Sequence, residues 1–252
     1  MSRITPLVFC LLIFGCAGTV KKGDLHTYKI RKAKSALTID GKLDDADWKK
    51  AKLTDSFVIY TDGSAPKFQT QAKMLWDDEY LYIAFIMNDE DVWAEMKTWK
   101  PGDKCLCSEE VAEVFIDPDG DGLMYTEIEI NPFGTLMDLY LEKEFAKGGK
   151  ANLEWKFDGL KIGVKIDGTL NKISDVDKKW ICELALPFKT MAFTSPSKNF
   201  PPKNGDTWRL NLYRYNYDRK GDKLKELTAW NMTDNKRGFH APDRFGHVVF
   251  SK

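Results

Sequence analysis

The sequence lacks an excess of charge of either sign. Its 252 residues contain 38 Lys and Arg against 38 Asp and Glu, so the formal net charge at pH 7 is zero. Nucleic-acid-binding proteins usually present a basic surface to the phosphates, and this balance argues against such a partner. Gly and Pro are also scarce, with 18 and 10 residues, whereas hydrophobic residues make up 43%. This composition is typical of a folded globular chain.

A hydrophobic run long enough to span a bilayer is missing as well. The apolar stretch at 7–14 is shorter than the about 20 residues that a membrane helix needs, and it is typical of a secretory signal. Gly15-Cys16 after it resembles the lipobox of bacterial lipoproteins. The sequence therefore predicts a signal peptide at 1–15, a lipid on Cys16 that anchors the chain to the bacterial cell envelope, and a tether at 16–36. Ala17 favours the outer membrane, and an ordinary signal with an incidental cysteine is the alternative.

Cysteine is rare beyond this segment, where Cys105, Cys107 and Cys182 remain. Their odd number leaves at least one thiol unpaired in an exported chain. Cys105 and Cys107 lack the spacing of a zinc site, and a disulfide across one intervening residue would be strained. Cys182 lies in an alternating segment, so we expect a small buried hydrophobic residue there.

Short segments of alternating apolar and polar residues fill the rest of the chain. With turn residues between them they predict strands, at 74–76, 80–87, 111–116, 124–131, 135–141, 162–166, 180–186, 208–217 and 244–250. Both faces of 80–87 are apolar, which predicts a central strand. Helical turns are expected only at 44–50, with Trp48 inward, and at 187–191. We therefore predict an all-β fold, an antiparallel β-sandwich of jelly-roll or immunoglobulin-like form, as a single domain over 37–252.

Four sequence motifs follow one another along this predicted domain. They are Thr38-Ile39-Asp40-Gly41 with Trp48, Leu75-Trp76-Asp77-Asp78-Glu79-Tyr80-Leu81-Tyr82, Glu113-Val114-Phe115-Ile116-Asp117, and Asp243-Arg244-Phe245-Gly246. In order and spacing the chain resembles family 9 carbohydrate-binding modules and the related DOMON-like sandwich domains. The resemblance implies a non-catalytic sugar-binding module. Such modules are often fused to xylan-degrading glycosidases, and several hold structural calcium.

The resemblance also implies which residues contact the sugar. Glu113 matches the family glutamate that binds sugar hydroxyls, and Phe239 matches one of two stacking rings. Phe239 lies in the loop after Trp230, which is itself a candidate ligand contact. Asn235 matches a loop asparagine. The other ring has no match in place, so Trp99 or Trp93 serves only if the loop at 100–108 folds back. Glu129 stands where family sugar binders carry an arginine.

Arg214 lies on the otherwise apolar face of the predicted strand 208–217. A buried arginine needs a partner, and Glu113 is the expected one, either as a ligand anchor or as a core salt bridge. The opposite face is polar and aromatic. It is expected to be a half-solvated surface, with a binding face as the alternative; its residues are Arg209, Asn211, Tyr213, Tyr215 and Tyr217.

Asp117, Asp119 and Asp121 are spaced like the start of a calcium loop. The twelfth position is Ile128, which excludes an EF-hand. Calcium held with help from another loop and a plain acidic turn both remain open, and no cofactor is required.

The favoured prediction is non-catalytic binding of a xylan- or cellulose-like carbohydrate at the cell envelope, with a separate glycoside hydrolase as a potential partner. One alternative is a glycoside hydrolase that uses Glu113 with Glu127 or Glu129. The other is a haem protein with methionine as an axial ligand. The sequence contains no Gly-x-Ser-x-Gly, His-Glu-x-x-His or phosphate-binding loop.

Overall fold

The computed structural model describes residues 24–219 and 223–252, and strands dominate it. The predicted signal peptide at 1–15 and Cys16 lie outside the described residues. Within them, no helix is long and apolar enough to cross a membrane. The strands are β1 (Thr27–Lys32), β2 (Val58–Ile59), β3 (Thr70–Trp76), β4 (Tyr80–Asn88), β5 (Val111–Asp117), β6 (Leu123–Ile130), β7 (Leu136–Lys143), β8 (Ala151–Asn152), β9 (Lys161–Asp167), β10 (Lys179–Pro187), β11 (Thr207–Asp218), β12 (Lys223–Ala229) and β13 (Gly246–Ser251).

Helices are short, as the sequence predicted. Helix α1 spans Ala46–Lys50 and buries Trp48, and helix α2 spans Phe188–Met191. Three single turns of 3₁₀ helix lie in the connections, at Leu106–Ser108, Phe145–Lys147 and Pro242–Arg244. Strand β4 is central and buries both faces because its residues are apolar in succession.

The strands form two packed layers, which confirms the predicted sandwich. The first layer has the order β8-β7-β6-β5-β11, continued by β12 and β2, and the second has the order β13-β1-β3-β4-β10-β9. The main core lies between the layers. It is built from alternate residues of both, among them Val114, Leu212, Ile83, Leu184 and Phe250.

Strand β11 joins the two layers. One of its edges pairs with β5 along Arg209–Tyr215. The other edge is divided, since Thr207–Leu210 pair with β13 and Tyr213–Asp218 pair with β12. The first layer therefore passes into the second without a break in strand pairing.

The described fold includes residues before the predicted boundary at residue 37. Residues 27–32, inside the predicted tether 16–36, form β1, which pairs with β13 and β3. Tyr28 and Ile30 enter the core on alternate positions, so this short segment has the period of a strand. Both of these pairings are parallel, which departs from the fully antiparallel sandwich that we expected.

The first sequence motif is a structural clamp over the outer face of the second layer. Glu183 of β10 accepts hydrogen bonds from Trp48 Nε1 at 2.5 Å and from the backbone N–H of Gly41 at 2.8 Å and Asp40 at 3.1 Å. Gly41 has φ +79°, and a Cβ there would lie 2.7 Å from the backbone nitrogen of Lys165. The glycine is therefore required by both conformation and close approach.

The second motif is a turn held by one carboxylate. Asp77 Oδ1 accepts the backbone N–H of Glu79 and Tyr80, both at 2.7 Å, and its Oδ2 accepts the hydroxyl of Tyr82 at 2.6 Å. An aspartate that satisfies neighbouring backbone donors stabilises a tight turn. The motif thus fixes the hairpin between β3 and β4.

Trp48→Phe tests the clamp. The change removes a buried hydrogen bond to a carboxylate, so it should lower the free energy of unfolding by about 1–3 kcal/mol more than a matched loss of ring volume. Trp180→Phe is the matched control, because Trp180 is equally buried and its indole N–H has no hydrogen-bond partner. Urea unfolding of both variants measures the difference, and equal losses would contradict the clamp.

Candidate functional site

A second hydrophobic cluster lies on the outer face of the first layer, away from the main core. We call it the outer-face cluster. The strands supply its floor, and the connections before β5 and before β13 cover it. Its buried members are Leu106, Val111, Phe115, Tyr125, Met137, Leu139, Leu141, Tyr213, Ala229, Phe239 and Phe245.

Three glutamates are buried on the same face as this cluster. Glu113 of β5 stands opposite Glu129 of β6, and Phe115 stands opposite Glu127, so alternation points all three carboxylates outward. Only 2% of Glu113, 5% of Glu127 and 1% of Glu129 is exposed. One carboxylate oxygen from each lies within 4.8 Å of the others.

Burial dominates the electrostatics of these carboxylates. It raises the pKa of Glu113 and Glu129 well above the usual value, and the neighbouring glutamates raise both further. Burial also raises the pKa of Glu127 to about 7. His240 Nδ1 is 4.0 Å from Glu127, but burial lowers the histidine pKa to about 4, so His240 is neutral at pH 7 and supplies no cation.

The structure brings Phe239 to the same cluster as Glu113. Tyr213 stands opposite Glu113 on β11, and its ring stacks on Phe239 with centroids 4.0 Å apart. The Tyr213 hydroxyl donates to the Phe239 carbonyl at 2.9 Å, and Tyr60 and Tyr215 pack edge-on against the ring. Phe239 is only 5% exposed, so its ring is packing for the cluster in this conformation.

Trp99 and Tyr215, like Tyr60, are half-buried rings at the rim of the cluster. Trp99 Nε1 donates to the carbonyl of Lys104 at 3.2 Å, and Lys156 Nζ lies 5.3 Å from the ring centroid. Tyr215 lies near all three glutamates, whose charges, after burial, help to raise its pKa. Sequence reasoning placed Tyr215 in the polar stripe and did not name it as a ligand contact, although alternation from Tyr213 shows that it shares that face.

The other sugar-site candidates lie elsewhere. Asn235 is exposed, in a turn closed by the bridge between Asp234 and Gly238. Trp230 is buried in the main core, with His26 stacked on it at 5.9 Å, so no ligand reaches its ring in this conformation. Trp93 is buried as well, and its Nε1 donates to the carbonyl of Tyr217.

The predicted pairing of Arg214 with Glu113 is wrong. Arg214 stands opposite Ala112, so it points into the sandwich while Glu113 points out. Its partners are the buried carboxylates of Asp89 and Glu110, together with the carbonyl of Asn88 at 2.7 Å. Arg214 is therefore part of a core ion-pair network.

Cys105 and Cys107 form a disulfide, although the single residue between them disfavours one. The 3₁₀ turn at Leu106–Ser108 brings their Cα atoms to 5.1 Å, within the ordinary range for a disulfide. Cys105 Sγ lies 3.8 Å from a carboxylate oxygen of Glu129, so the bridge borders the glutamates. Cys182 is a free buried thiol, as predicted.

The loop at 117–122 is an acidic turn in which one buried carboxylate oxygen has no hydrogen-bond partner. Asp117 accepts the backbone N–H of Gly120 and Gly122, and burial raises its pKa to about 7. Oxygens of Asp117, Asp119 and Asp121 lie within 4.8 Å of one another, and Asp119 Oδ1 is buried without a partner. This donor set fits calcium, which prefers carboxylate oxygens, and it also fits an acidic turn.

A model of the carbohydrate family 9 binding domain-like proteins matches residues 39–252. The chain belongs to this family. A module from Caldicellulosiruptor kristjanssonii in complex with cellotriose superposes with a TM-score of 0.58 at 15% identity, over 90% of this chain and 94% of that one. A Bacteroides uniformis ATCC 8492 protein that bears the name "putative carbohydrate-binding protein" superposes with a TM-score of 0.66 at 16% identity, over 90% of this chain and all of its own. At these identities the structures establish the fold alone.

The sequence also resembles part of a large enzyme. It is 31% identical over 116 residues to "Exoglucanase XynX" of Acetivibrio thermocellus, which covers 45% of this chain and 9% of that protein. The chain therefore spans only a small fraction of the length of this relative.

The buried glutamates predict how stability changes with pH. A raised folded-state pKa means that the folded protein binds more protons than the unfolded one above about pH 4.5, so stability falls as pH rises. The fall should be steepest between about pH 5 and 8, since the pKa of Glu127 is about 7. Thermal unfolding in the presence of a chelator measures it.

Glu127→Gln should flatten this decline, because the amide has no charge to bury. Glu154→Gln is the control, since Glu154 is exposed and its charge is not buried on folding. If Glu127→Gln and the wild type lose stability equally between pH 5 and 8, then the burial of Glu127 does not control the pH dependence.

Proposed function

We propose that this chain binds carbohydrate at the outer face of its first layer and does not cleave it. The observation that carries the proposal is the convergence of two half-buried rings, Trp99 and Tyr215, with three carboxylates on one face of the sheet. Flat rings pack against the C–H faces of a pyranose, and carboxylates accept its hydroxyl protons. Membership of a carbohydrate-binding family supports the same conclusion.

In this arrangement the rim rings supply contact area and the floor supplies specificity. Glu113 Oε2 and Glu129 Oε2 have no hydrogen-bond partner. A sugar hydroxyl that reached one of them would satisfy a buried acceptor, which is worth more than a contact to a solvated group. Because Glu113, Glu127 and Glu129 are buried, a hydroxyl reaches the floor only if covering side chains move, whereas stacking at the rim needs no such movement.

The same carboxylates argue against hydrolysis. Retaining glycosidases place two carboxyl groups about 5–5.5 Å apart, and the three glutamates are close enough to invite the comparison. A catalytic pair must flank the glycosidic bond on an accessible cleft, and these side chains are 5% exposed or less. A hydroxyl contact requires access to one carboxylate oxygen only, whereas hydrolysis requires two carboxyl groups that flank the bond.

The ligand class proposed is a plant-type polysaccharide or oligosaccharide that resembles xylan or cellulose. The fold neighbours from Caldicellulosiruptor kristjanssonii hold cellotriose and glucose, and the Acetivibrio thermocellus relative is named an exoglucanase. We propose further that the chain acts at the bacterial cell envelope, attached through Cys16 to the outer membrane and working beside a glycoside hydrolase. Calcium at Asp117, Asp119 and Asp121 stays a prediction.

Trp99→Ala tests the rim. Loss of a stacked ring should weaken binding of cello- or xylo-oligosaccharides about tenfold, while the melting temperature stays nearly unchanged because the ring is only half-buried. Phe193→Ala is the control, since Phe193 is 58% exposed and packs against Tyr140 away from the cluster. Isothermal titration measures both variants, and wild-type affinity in Trp99→Ala would place the sugar elsewhere.

The two alternative functions, glycoside hydrolysis and haem binding, would each give a distinct experimental signal. A glycoside hydrolase would release reducing ends from these oligosaccharides and lose that activity on Glu113→Gln. A haem protein would show a Soret band, yet Met74 and Met87 are buried in the main core, where packing accounts for them. We expect neither turnover nor a Soret band.

A further inference from the structure

The three glutamates of the outer-face cluster lack compensation from any cation in the described residues. No described Lys or Arg forms an ion pair with Glu113, Glu127 or Glu129. The nearby Arg237 is already paired with Asp234 and Asp243. Burying a carboxylate without a partner is costly, and burying three together adds their mutual repulsion.

Protons shared within the cluster do not satisfy it. Glu127 and Glu129 lie within hydrogen-bonding distance of each other, so one proton can bridge that pair. Glu113 is outside that pair, and its Oε2 has no hydrogen-bond partner, although the side chain is at least nine-tenths buried and faces the cluster. Buried polar atoms normally have partners, so this acceptor points to a group that completes it.

The distances between the carboxylate oxygens of the three glutamates indicate which kind of partner would complete them. Two ligands on opposite sides of a calcium ion are about 4.6–5.2 Å apart, because each Ca–O bond is 2.3–2.6 Å long. The three glutamate oxygens lie within 4.8 Å of one another, so a single ion can contact all of them. Carboxylate oxygens alone favour hard cations such as Ca²⁺, Mg²⁺ or Mn²⁺ over soft ones.

Adjacent strands also hold the three carboxylate ligands at fixed positions relative to one another. Glu113 and Glu129 are cross-strand neighbours, and Glu127 lies two residues before Glu129 on the same face of β6. Ladder hydrogen bonds fix these backbone positions, so the donor set is preorganised before any ion arrives. Cys105 and Cys107 are joined in the disulfide, which removes thiolates as ligands.

We propose that Glu113, Glu127 and Glu129 form a binding site for one hard divalent cation of calcium size, beneath the rim of the outer face. The ion bridges β5 and β6 and offsets the charge of the three carboxylates. The site is separate from the aspartates at 117–121. It uses the same floor carboxylates that are proposed above to accept sugar hydroxyls, but its existence does not depend on a carbohydrate ligand.

The test uses the full chain, freed of metal with EDTA, dialysed, and titrated with CaCl₂, MgCl₂ or MnCl₂ in separate experiments. Ca²⁺ at about 100-fold excess over its Kd should raise the melting temperature by about 5–10 °C. Isothermal titration in the absence of any sugar gives the stoichiometry.

Two variants show which carboxylates bind the cation. Glu129→Gln keeps the shape but removes one ligand charge, so it should abolish one binding event. In EDTA this variant should be at least as stable as the wild type, because less charge is buried. Asp119→Asn should retain that binding event, which distinguishes the glutamates from the aspartate loop.

The proposal is overturned if the wild type binds none of the three cations, or if Glu129→Gln binds them as the wild type does. It is also overturned if Asp119→Asn alone removes all binding. Failure of sugar binding leaves the result unchanged, because every measurement is made without glycan.

Discussion

The register between β5 and β11 determines most of what this protein presents to a ligand. Glu113 stands opposite Tyr213, so the carboxylate and the ring share the outer face, while Arg214 turns into the sandwich. A shift of one residue would reverse every one of these side chains. The same β11 carries the junction between the two layers, so the register cannot change without disrupting the whole sandwich.

The outer face carries aromatic residues that stabilise the fold and buried carboxylates that destabilise it. The rings of Phe115, Tyr213, Phe239 and Phe245 pack there like a small core. The three glutamates beside them oppose folding unless protons, an ion or ligand hydroxyls compensate them. Such local conflicts between burial and polarity are expected at functional sites more often than in purely structural regions.

Most of the fold could be predicted from the sequence because its signals are local. Alternation located the strands, and the apolar run in β4 identified a central one. The short β1 was missed, because its main partner strand lies more than 200 residues away, at His247 to Ser251, and only Arg31 and Lys32 pair with β3. The local sequence of a strand does not indicate whether it will pair in parallel with a distant strand.

The site could be predicted only in part. Family motifs and alternation led to Glu113, and they led to the loop of Phe239. The pairing of Arg214 was wrong because the face of a residue relative to a distant strand depends on register, which single-sequence patterns do not define. Phe239 was expected to be open, yet its stacking on Tyr213 depends on the path of a loop that has no period.

The parallel pairing of β1 with β13 separates the two ends of the described domain. Thr27 lies beside His247 and Arg31 beside Ser251, so the chain enters the sandwich at one pole and leaves it at the other. The loop at 231–245 leads into β13 and lies at the entry pole. An affinity tag or solid support joined after Lys252 would therefore stand away from that loop, and the immobilised protein would keep the loop accessible to molecules in solution.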